Sequence, residues 1–247
     1  MKIIRPSVFS AAPGVLAALS TRLGGVSPAP LGMNLSFNVG DVASNVVQNR
    51  TVFFGGLGIG LEELAVPQQV HSATVRRADM AGKYAECDAL ISSVARVFLC
   101  VSFADCVPIL ICEPESGVVA AVHAGWRGTA SEIAALAVAA IGREYGVSPD
   151  RLLAYIGPAA DSCCYRVGEE VADRFSPRFV RLEGKDTYVD LKKANYQQLL
   201  DSGVQAGQVE LSPLCTITEV GLFHSFRRDK ERSGRMMAVI GMTESKS

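Results

Sequence analysis

The chain has 247 residues, 49% of them apolar and 20% charged, and its formal net charge is −1. That is material for a real core in one or two domains, and such a balance gives no ground for a nucleic acid or an anionic membrane as partner. No apolar run approaches the roughly 20 residues that span a bilayer, and seven cysteines, an odd number in a chain able to build a core, imply no disulfide framework.

Lys2 and Arg5 precede an apolar, alanine-rich stretch over residues 7–20, a pattern shared with signal peptides. Pro13 and Gly14 break that stretch in its middle, so a cytoplasmic protein with reduced thiols is the expectation. Residues 21–41 hold four glycines and two prolines, with Asn34, Asn38 and Asp41 able to cap or turn. They read as a long loop, a type that is often functional. Ser44 is placed to cap a helix over 45–54, closed by Gly55 and Gly56. Residues 65–75 read as extended, with Pro67 early and His71 in the middle, and 86–91 lead into an apolar run over 97–103 that reads as a buried strand.

The rest of the chain is organised around residues 103–129. Two apolar runs, 107–112 and 118–123, flank Glu113-Pro114-Glu115-Ser116-Gly117 and read as a hairpin. With all five of these residues in the turn, Cys112 opposes Val118 and Val107 opposes His123. Cys106 then lies beside His123, one step past the ladder. Opposed residues sit about 5 Å apart, a separation at which a sulfur and an imidazole share a transition metal. A slip of one residue would turn one of the two to the other face. Beyond the hairpin, Thr129-Ala130-Ser131-Glu132 matches a capping box. Ile133, Leu136, Ala137, Ala140 and Ile141 recur at helical spacing, and Gly146 closes that helix. Arg127 would sit just ahead of a helix start, where free N–H groups favour an anion. A strand over 152–156, helices over 168–175 and 190–203, and strands over 209–211 and 236–240 complete a single mixed domain over 1–247.

The three histidines are His71, His123 and His224. A cysteine and two of them leave a tetrahedral zinc one position short, the open arrangement of a catalytic site. The same donors with a weak axial methionine make a blue copper site, but no methionine follows His123 at short range. Cys106 with His123 as base would also serve as a metal-free nucleophile. Asp88 and Asp105 would orient a ligand histidine or move protons, although Asp88, in a tight Cys-Asp-Ala turn, reads first as a turn cap. Residues 227–235 carry five cations whose arginine forks suit phosphate, and Asp229 and Glu231 dilute that charge.

The stretches Thr21-Arg22-Leu23-Gly24-Gly25-Val26-Ser27, Gln69-Val70-His71, Asp88-Ala89-Leu90-Ile91, Ala104-Asp105-Cys106-Val107-Pro108-Ile109 and Ala121-Val122-His123-Ala124-Gly125-Trp126-Arg127-Gly128 closely resemble the laccase-domain proteins. So do Ile156-Gly157-Pro158, Cys164-Tyr165 and the Arg227-Arg228-Asp229 to Gly234-Arg235 tail. Members of that family go by the names polyphenol oxidase-like protein, peptidoglycan editing factor and purine nucleoside phosphorylase. The resemblance implies an α/β fold of layered mixed sheets covered by helices, related to the cysteine-hydrolase-like catalytic domain of necrotising factors. It implies zinc on His71, Cys106 and His123, and phosphorolysis of adenosine, inosine and methylthioadenosine with some adenosine deamination. Asp105 would assist proton transfer, and Arg22, Asn38, Arg127, Arg227 and Arg228 would hold nucleoside and phosphate. Arg166 and His224 depart from the family pattern, the first where an acidic residue is expected and the second where an aromatic is. Three histidines cannot furnish several coppers, and the H-x-E with P-C-x-x-C signature of ordinary zinc deaminases is absent. A copper-dependent oxidase, a cysteine hydrolase and a cell-wall precursor editing factor are the alternatives.

Overall fold

A computed structural model describes residues 1–244. In chain order the strands are β1 (Ile3–Ile4), β2 (Val15–Ser20), β3 (Leu64–Pro67), β4 (Val75–Arg77), β5 (Gly82–Tyr84), β6 (Ala89–Ser92), β7 (Phe98–Phe103), β8 (Val107–Glu113), β9 (Val118–Ala124), β10 (Leu153–Ile156), β11 (Arg166–Val167), β12 (Val180–Glu183), β13 (Asp186–Val189), β14 (Val209–Leu211) and β15 (Met236–Met242). The α-helices are α1 (Ala43–Gly55), α2 (Trp126–Ala130), α3 (Ile133–Tyr145), α4 (Glu169–Ala172), α5 (Leu191–Asp201) and α6 (Phe226–Asp229). One six-stranded mixed sheet runs β1-β2-β15-β7-β3-β5, a second runs β14-β10-β8-β9-β6-β4, and β11-β13-β12 form a small third.

Strands β8 and β9 are buried along their whole length, so their two faces feed two cores. Val107, Ile109, Ile111, Val118, Ala120 and Val122 pack with Ile133, Ala137 and Ile141 of α3 and Leu191 and Leu199 of α5. Leu110, Cys112, Val119 and Ala121 meet Leu99, Val101, Ala238 and Ile240 of the first sheet. On the far side of that sheet, Phe53 and Phe54 of α1 cover Phe98, Cys100, Met237 and Val239. The layers are therefore helix, sheet, sheet, helix, the layered mixed architecture that was expected. The apolar stretch reminiscent of a signal peptide supplies β2, paired with β1 on one side and β15 on the other. No described helix is long and apolar enough to cross a membrane.

The hairpin forms, with a register one residue from the expected one. Glu113 pairs with Val118, so Pro108 opposes His123 and Val107 opposes Ala124. The turn is 114–117 because Glu113 closes it from within the strand: its carboxylate accepts the N–H of Glu115 and of Ser116 and the Ser116 hydroxyl. Side chains alternate along a strand. Cys106, two residues before Pro108, therefore shares a face with His123, whereas the expected register would have turned the two apart.

Four other local readings are corrected. Helix α1 starts at Ala43 with Val42 as its N-cap and no side-chain cap, and Ser44 lies in its first turn. Residues 65–75 are not one extended segment: β3 ends at Pro67, β4 begins at Val75, and between them His71 sits at φ 59. The cause is Asp88, which draws in the N–H groups of Val70, His71 and Ser72. The capping box at Thr129 does not form, because the Thr129 hydroxyl accepts from Asn195 Nδ2 at 2.9 Å instead. Helix α2 already begins at Trp126, and Glu132 at φ 59 separates it from α3. Arg127 thus lies inside a five-residue helix rather than ahead of one. Asp190 does cap α5, accepting from the Lys193 N–H at 2.8 Å.

Candidate metal centre and its cleft

His71 on the β3–β4 loop, Cys106 just before β8 and His123 near the end of β9 converge, and their ligand atoms lie within 4.8 Å of one another. The two imidazoles meet edge to face, with centroids 5.0 Å apart and planes at 79°. Three local features make this possible. The backbone at Asp105 is left-handed at φ 87, an uncommon state for a residue with a side chain, and it is held there. Asp105 Oδ1 accepts from Thr216 Oγ1 at 2.7 Å, Oδ2 accepts from the Arg227 N–H at 2.6 Å, and the Asp105 carbonyl accepts from the Ala160 N–H at 2.9 Å. Gly125 leaves the space: a Cβ there would lie 3.1 Å from His71 Cδ2 and 3.2 Å from Cys106 Sγ.

Asp88 is the third feature. Fully buried at the head of β6, it caps the loop that carries His71, with its oxygens 2.7 Å from the Ser72 N–H donor and 3.0 Å from that of His71. Its Oδ1 also lies 2.8 Å from His123 Nδ1. One carboxylate therefore positions two of the three donors, and the capping role read from its turn is only half of what it does. A histidine whose Nδ1 serves a carboxylate presents Nε2 to its other neighbours.

The electrostatics follow. Burial works against ionisation of Asp88, but the hydrogen bonds from the His123 ring and the Ser72 N–H prevail and hold its carboxyl at about 2. Burial likewise opposes the Cys106 thiolate, and His123 and then His71 overcome it, bringing the thiol below its ordinary range. The His123 ring moves the opposite way: burial opposes its charge, while Cys106 and Asp88 favour it and raise its pKa. Cys106 is thus a ready thiolate with two imidazoles beside it.

The centre opens onto a cleft of about 1030 Å³. Asn38 lines it, as do Phe37, Tyr84 and Phe226, and its cations are Arg50, Lys83 and Arg235. None of Arg22, Arg127, Arg227 or Arg228 is among the lining residues. Arg22 donates to the carbonyls of Val220 and Pro30, and Arg228 to those of Thr216, Ile217 and Phe223; both tie loops together. Arg227 donates to the Arg166 carbonyl and stacks over Tyr165 at 4.8 Å. Arg127 lies over the Trp126 ring at 4.2 Å. Arg235 belonged to the cationic tail already singled out, whereas nothing in the sequence marks Arg50, which comes from α1, or Lys83. His224 stands apart from the centre, fully buried, with neither ring nitrogen bonded to a partner.

Two imidazoles and a thiolate suit one borderline-soft ion and leave a coordination position open. A single copper would want an axial methionine, and among the described residues no methionine lines the cleft. A multicopper cluster does not fit a chain with three histidines.

Comparison with known proteins places the chain in one family. The family model for multi-copper polyphenol oxidoreductase laccase matches residues 16–243. The purine nucleoside phosphorylase YlmD of Geobacillus stearothermophilus is 37% identical, over 94% of this chain and 91% of that protein. Adenosine deaminase RL5, from an unknown prokaryotic organism, is 35% identical over 85% of this chain and 86% of its own length. The crystal structure of YlmD from Geobacillus stearothermophilus superposes with a TM-score of 0.89 at 36% identity, covering 94% of this chain and 93% of that one.

Proposed function

The chain belongs to the multi-copper polyphenol oxidoreductase laccase family, and we propose that within it this protein is a zinc-dependent purine nucleoside phosphorylase. Its substrates are adenosine, inosine and methylthioadenosine, with adenosine deamination as a lesser activity, and the chain works as one catalytic domain. The observation that carries this reading is the coincidence of two features: His71, Cys106 and His123 within 4.8 Å of one another, and a cleft beside them that offers both aromatic faces and cations.

His71, Cys106 and His123 would hold the zinc, which supplies a Lewis acid for a phosphate or water oxygen. The chain's own groups do the rest. Asp88 holds His123 in one tautomer. Arg50, Lys83 and Arg235 line the cleft as the cationic cradle that a phosphate dianion requires. Phe37 and Tyr84 give the purine apolar surface to lie against. In phosphorolysis an oxygen of hydrogen phosphate bonds to C1′ of the ribose, the C1′–N9 bond breaks, and the base leaves with the proton that the hydrogen phosphate brought in. Both Asp105 oxygens are engaged by Thr216 and Arg227, so we assign Asp105 to positioning Cys106 rather than to proton transfer. A cytoplasmic setting goes with this reading, since all seven cysteines are free thiols.

A second reading has one observation in its favour. Asp88, His123 and Cys106 stand in the order carboxylate, imidazole, thiol, the arrangement of a cysteine nucleophile with its oriented base. Chelation separates the two readings. Adenosine and inosine are incubated with the protein in phosphate and in phosphate-free buffer, before and after removal of metal. The expected result is ribose 1-phosphate that appears only with phosphate and only with metal. Equal base release in both buffers with free ribose as product would overturn the phosphorylase, and turnover indifferent to chelation would favour the thiol nucleophile.

A further inference from the structure

Away from the cleft, three further cysteines converge. The sulfurs of Cys163, Cys164 and Cys215 lie within 4.8 Å of one another, with Cys163 exposed, Cys164 half-buried and Cys215 buried. Consecutive side chains of an extended segment point apart. Here a tight turn, in which the Asp161 carbonyl accepts from the N–H groups of Cys164 and Tyr165, aims both neighbours the same way and leaves their sulfurs 2.9 Å apart. Cys215 arrives from a different part of the chain through the bridge between Ala159 and Cys215, and the Thr216 N–H donates to the Ala159 carbonyl at 2.9 Å. Two backbone segments far apart in sequence are thus fastened so that three thiols face one point.

The surroundings narrow the chemistry. The nearest carboxylate is committed elsewhere: Asp161 is 2.7 Å from Lys192 Nζ and accepts from the Ser162 N–H at 2.8 Å. No histidine belongs to the cluster. Arg181 donates to the Ser162 carbonyl at 2.9 Å, which sets a guanidinium beside the turn, where it offsets thiolate charge. Burial works against all three thiolates: it raises the pKa of Cys163 and pushes that of Cys164 up to about 12, and only at Cys215 do hydrogen bonds from the backbone of Thr218, Asp161 and Ile217 overcome it and lower the pKa. Structural zinc takes four ligands, and here only sulfur is offered, three times. Soft thiolates select Cu(I), a d10 ion satisfied by three donors.

We infer that Cys163, Cys164 and Cys215 form a second metal site, distinct from the cleft, which takes a soft, low-coordinate monovalent cation of the Cu(I) class as a three-thiolate complex. Metal–sulfur bonds of about 2.3 Å in a trigonal plane place sulfurs about 4 Å apart. The Cys163–Cys164 pair must therefore open by about 1 Å on binding, and a rotation of the exposed Cys163 side chain supplies this. The same exposure is the entry path. The site does not depend on the activity assigned to the cleft.

The test is an anaerobic titration of the reduced full-length chain with Cu(I) against a chromophoric Cu(I) chelator. It is run on Cys106→Ala, which removes the sulfur of the cleft centre, and on the same variant carrying Cys163→Ser, Cys164→Ser or Cys215→Ser. One tightly held equivalent is expected in Cys106→Ala, with affinity at least tenfold weaker in each of the three combined variants. Cys163→Ser changes an exposed residue and leaves the core untouched, so its result stands even if Cys215→Ser fails to fold. No Cu(I) retained by Cys106→Ala would overturn the inference. So would an equivalent indifferent to Cys163→Ser and Cys164→Ser, preferential uptake of zinc at these sulfurs, or a disulfide among the three in protein isolated under reducing conditions.

Discussion

Asp88 shows how much a single side chain decides. Its two oxygens take the N–H groups of Val70, His71 and Ser72, the Ser72 hydroxyl and the Nδ1 side of His123. Replacing it by asparagine keeps the shape and reverses the chemistry of one atom. In place of Oδ1 the amide nitrogen meets the His71 N–H donor and forces the His123 proton onto Nε2, the nitrogen that faces Cys106; in place of Oδ2 it meets the N–H donors of Val70 and Ser72. Asp88→Asn should therefore lose metal affinity by about 10–100-fold and cost about 1–3 kcal/mol of stability. Chelator competition, urea unfolding and the nitrogen NMR shifts of His123 check this. An unchanged tautomer and unchanged metal retention would show that Asp88 is only a turn cap.

At the level of elements, the β8–β9 hairpin carries the site, and Glu113 determines its register. This carboxylate is 2% exposed. It accepts the N–H of Ser116 at 2.6 Å and of Glu115 at 3.1 Å, and pairs with Arg151 at 3.0 Å. Glu113→Ala leaves the turn donors unmet and should destabilise the fold by about 1–3 kcal/mol. Glu115 reaches the same Arg151, but its side chain is 83% exposed, and a surface pair is worth about 0–1 kcal/mol. Glu115→Ala is thus the control, and urea midpoints of the two variants should separate clearly. Coinciding midpoints would mean that the turn is held by its backbone alone. The helices show the same dependence on particular partners: Asp190 caps α5 through Lys193, whereas the expected box at Thr129 gives way because Asn195 takes the threonine hydroxyl.

For the molecule as a whole, His224 ties stability to pH. It is fully buried with neither ring nitrogen bonded to a partner. Burial first, and then the charges of Arg22 and Arg235, push its pKa down to about 3. In the unfolded chain it titrates near 6.5. Between these values the unfolded state binds the extra proton, so stability falls as pH drops from about 6.5 toward 3, by up to about 1.4 kcal/mol per pH unit. His224→Phe removes the titrating group and should flatten that slope. The difference in unfolding free energy between pH 7.5 and 4.5, taken within each protein, cancels any steric cost against Gly234, whose Cβ position is 2.6 Å from His224 Nε2. Equal slopes in parent and variant would remove His224 from the account.

What the sequence determined by itself was local or compositional. Continuous apolar runs mark β7, β8, β9 and β15, because a strand buried on both faces needs no polar alternation. Asp190 and Gly203 bracket α5 because capping involves only near neighbours. The resemblance singled out His71, Cys106 and His123 as residues to watch. The tertiary structure alone decided what depends on two distant partners at once. It set the hairpin register, and with it the shared face of Cys106 and His123. It brought Asp88 to both histidine-bearing segments, and it set Arg50 and Arg235, each also donating to a backbone carbonyl, in the lining of the cleft, while Arg22 and Arg228 bind loop carbonyls outside it. It also paired β11, β12 and β13 and brought Cys215 to Cys163 and Cys164. The physical reason is common to all of these: a residue's type states which bonds it can make, and only the packed layers determine which partner comes within 3 Å.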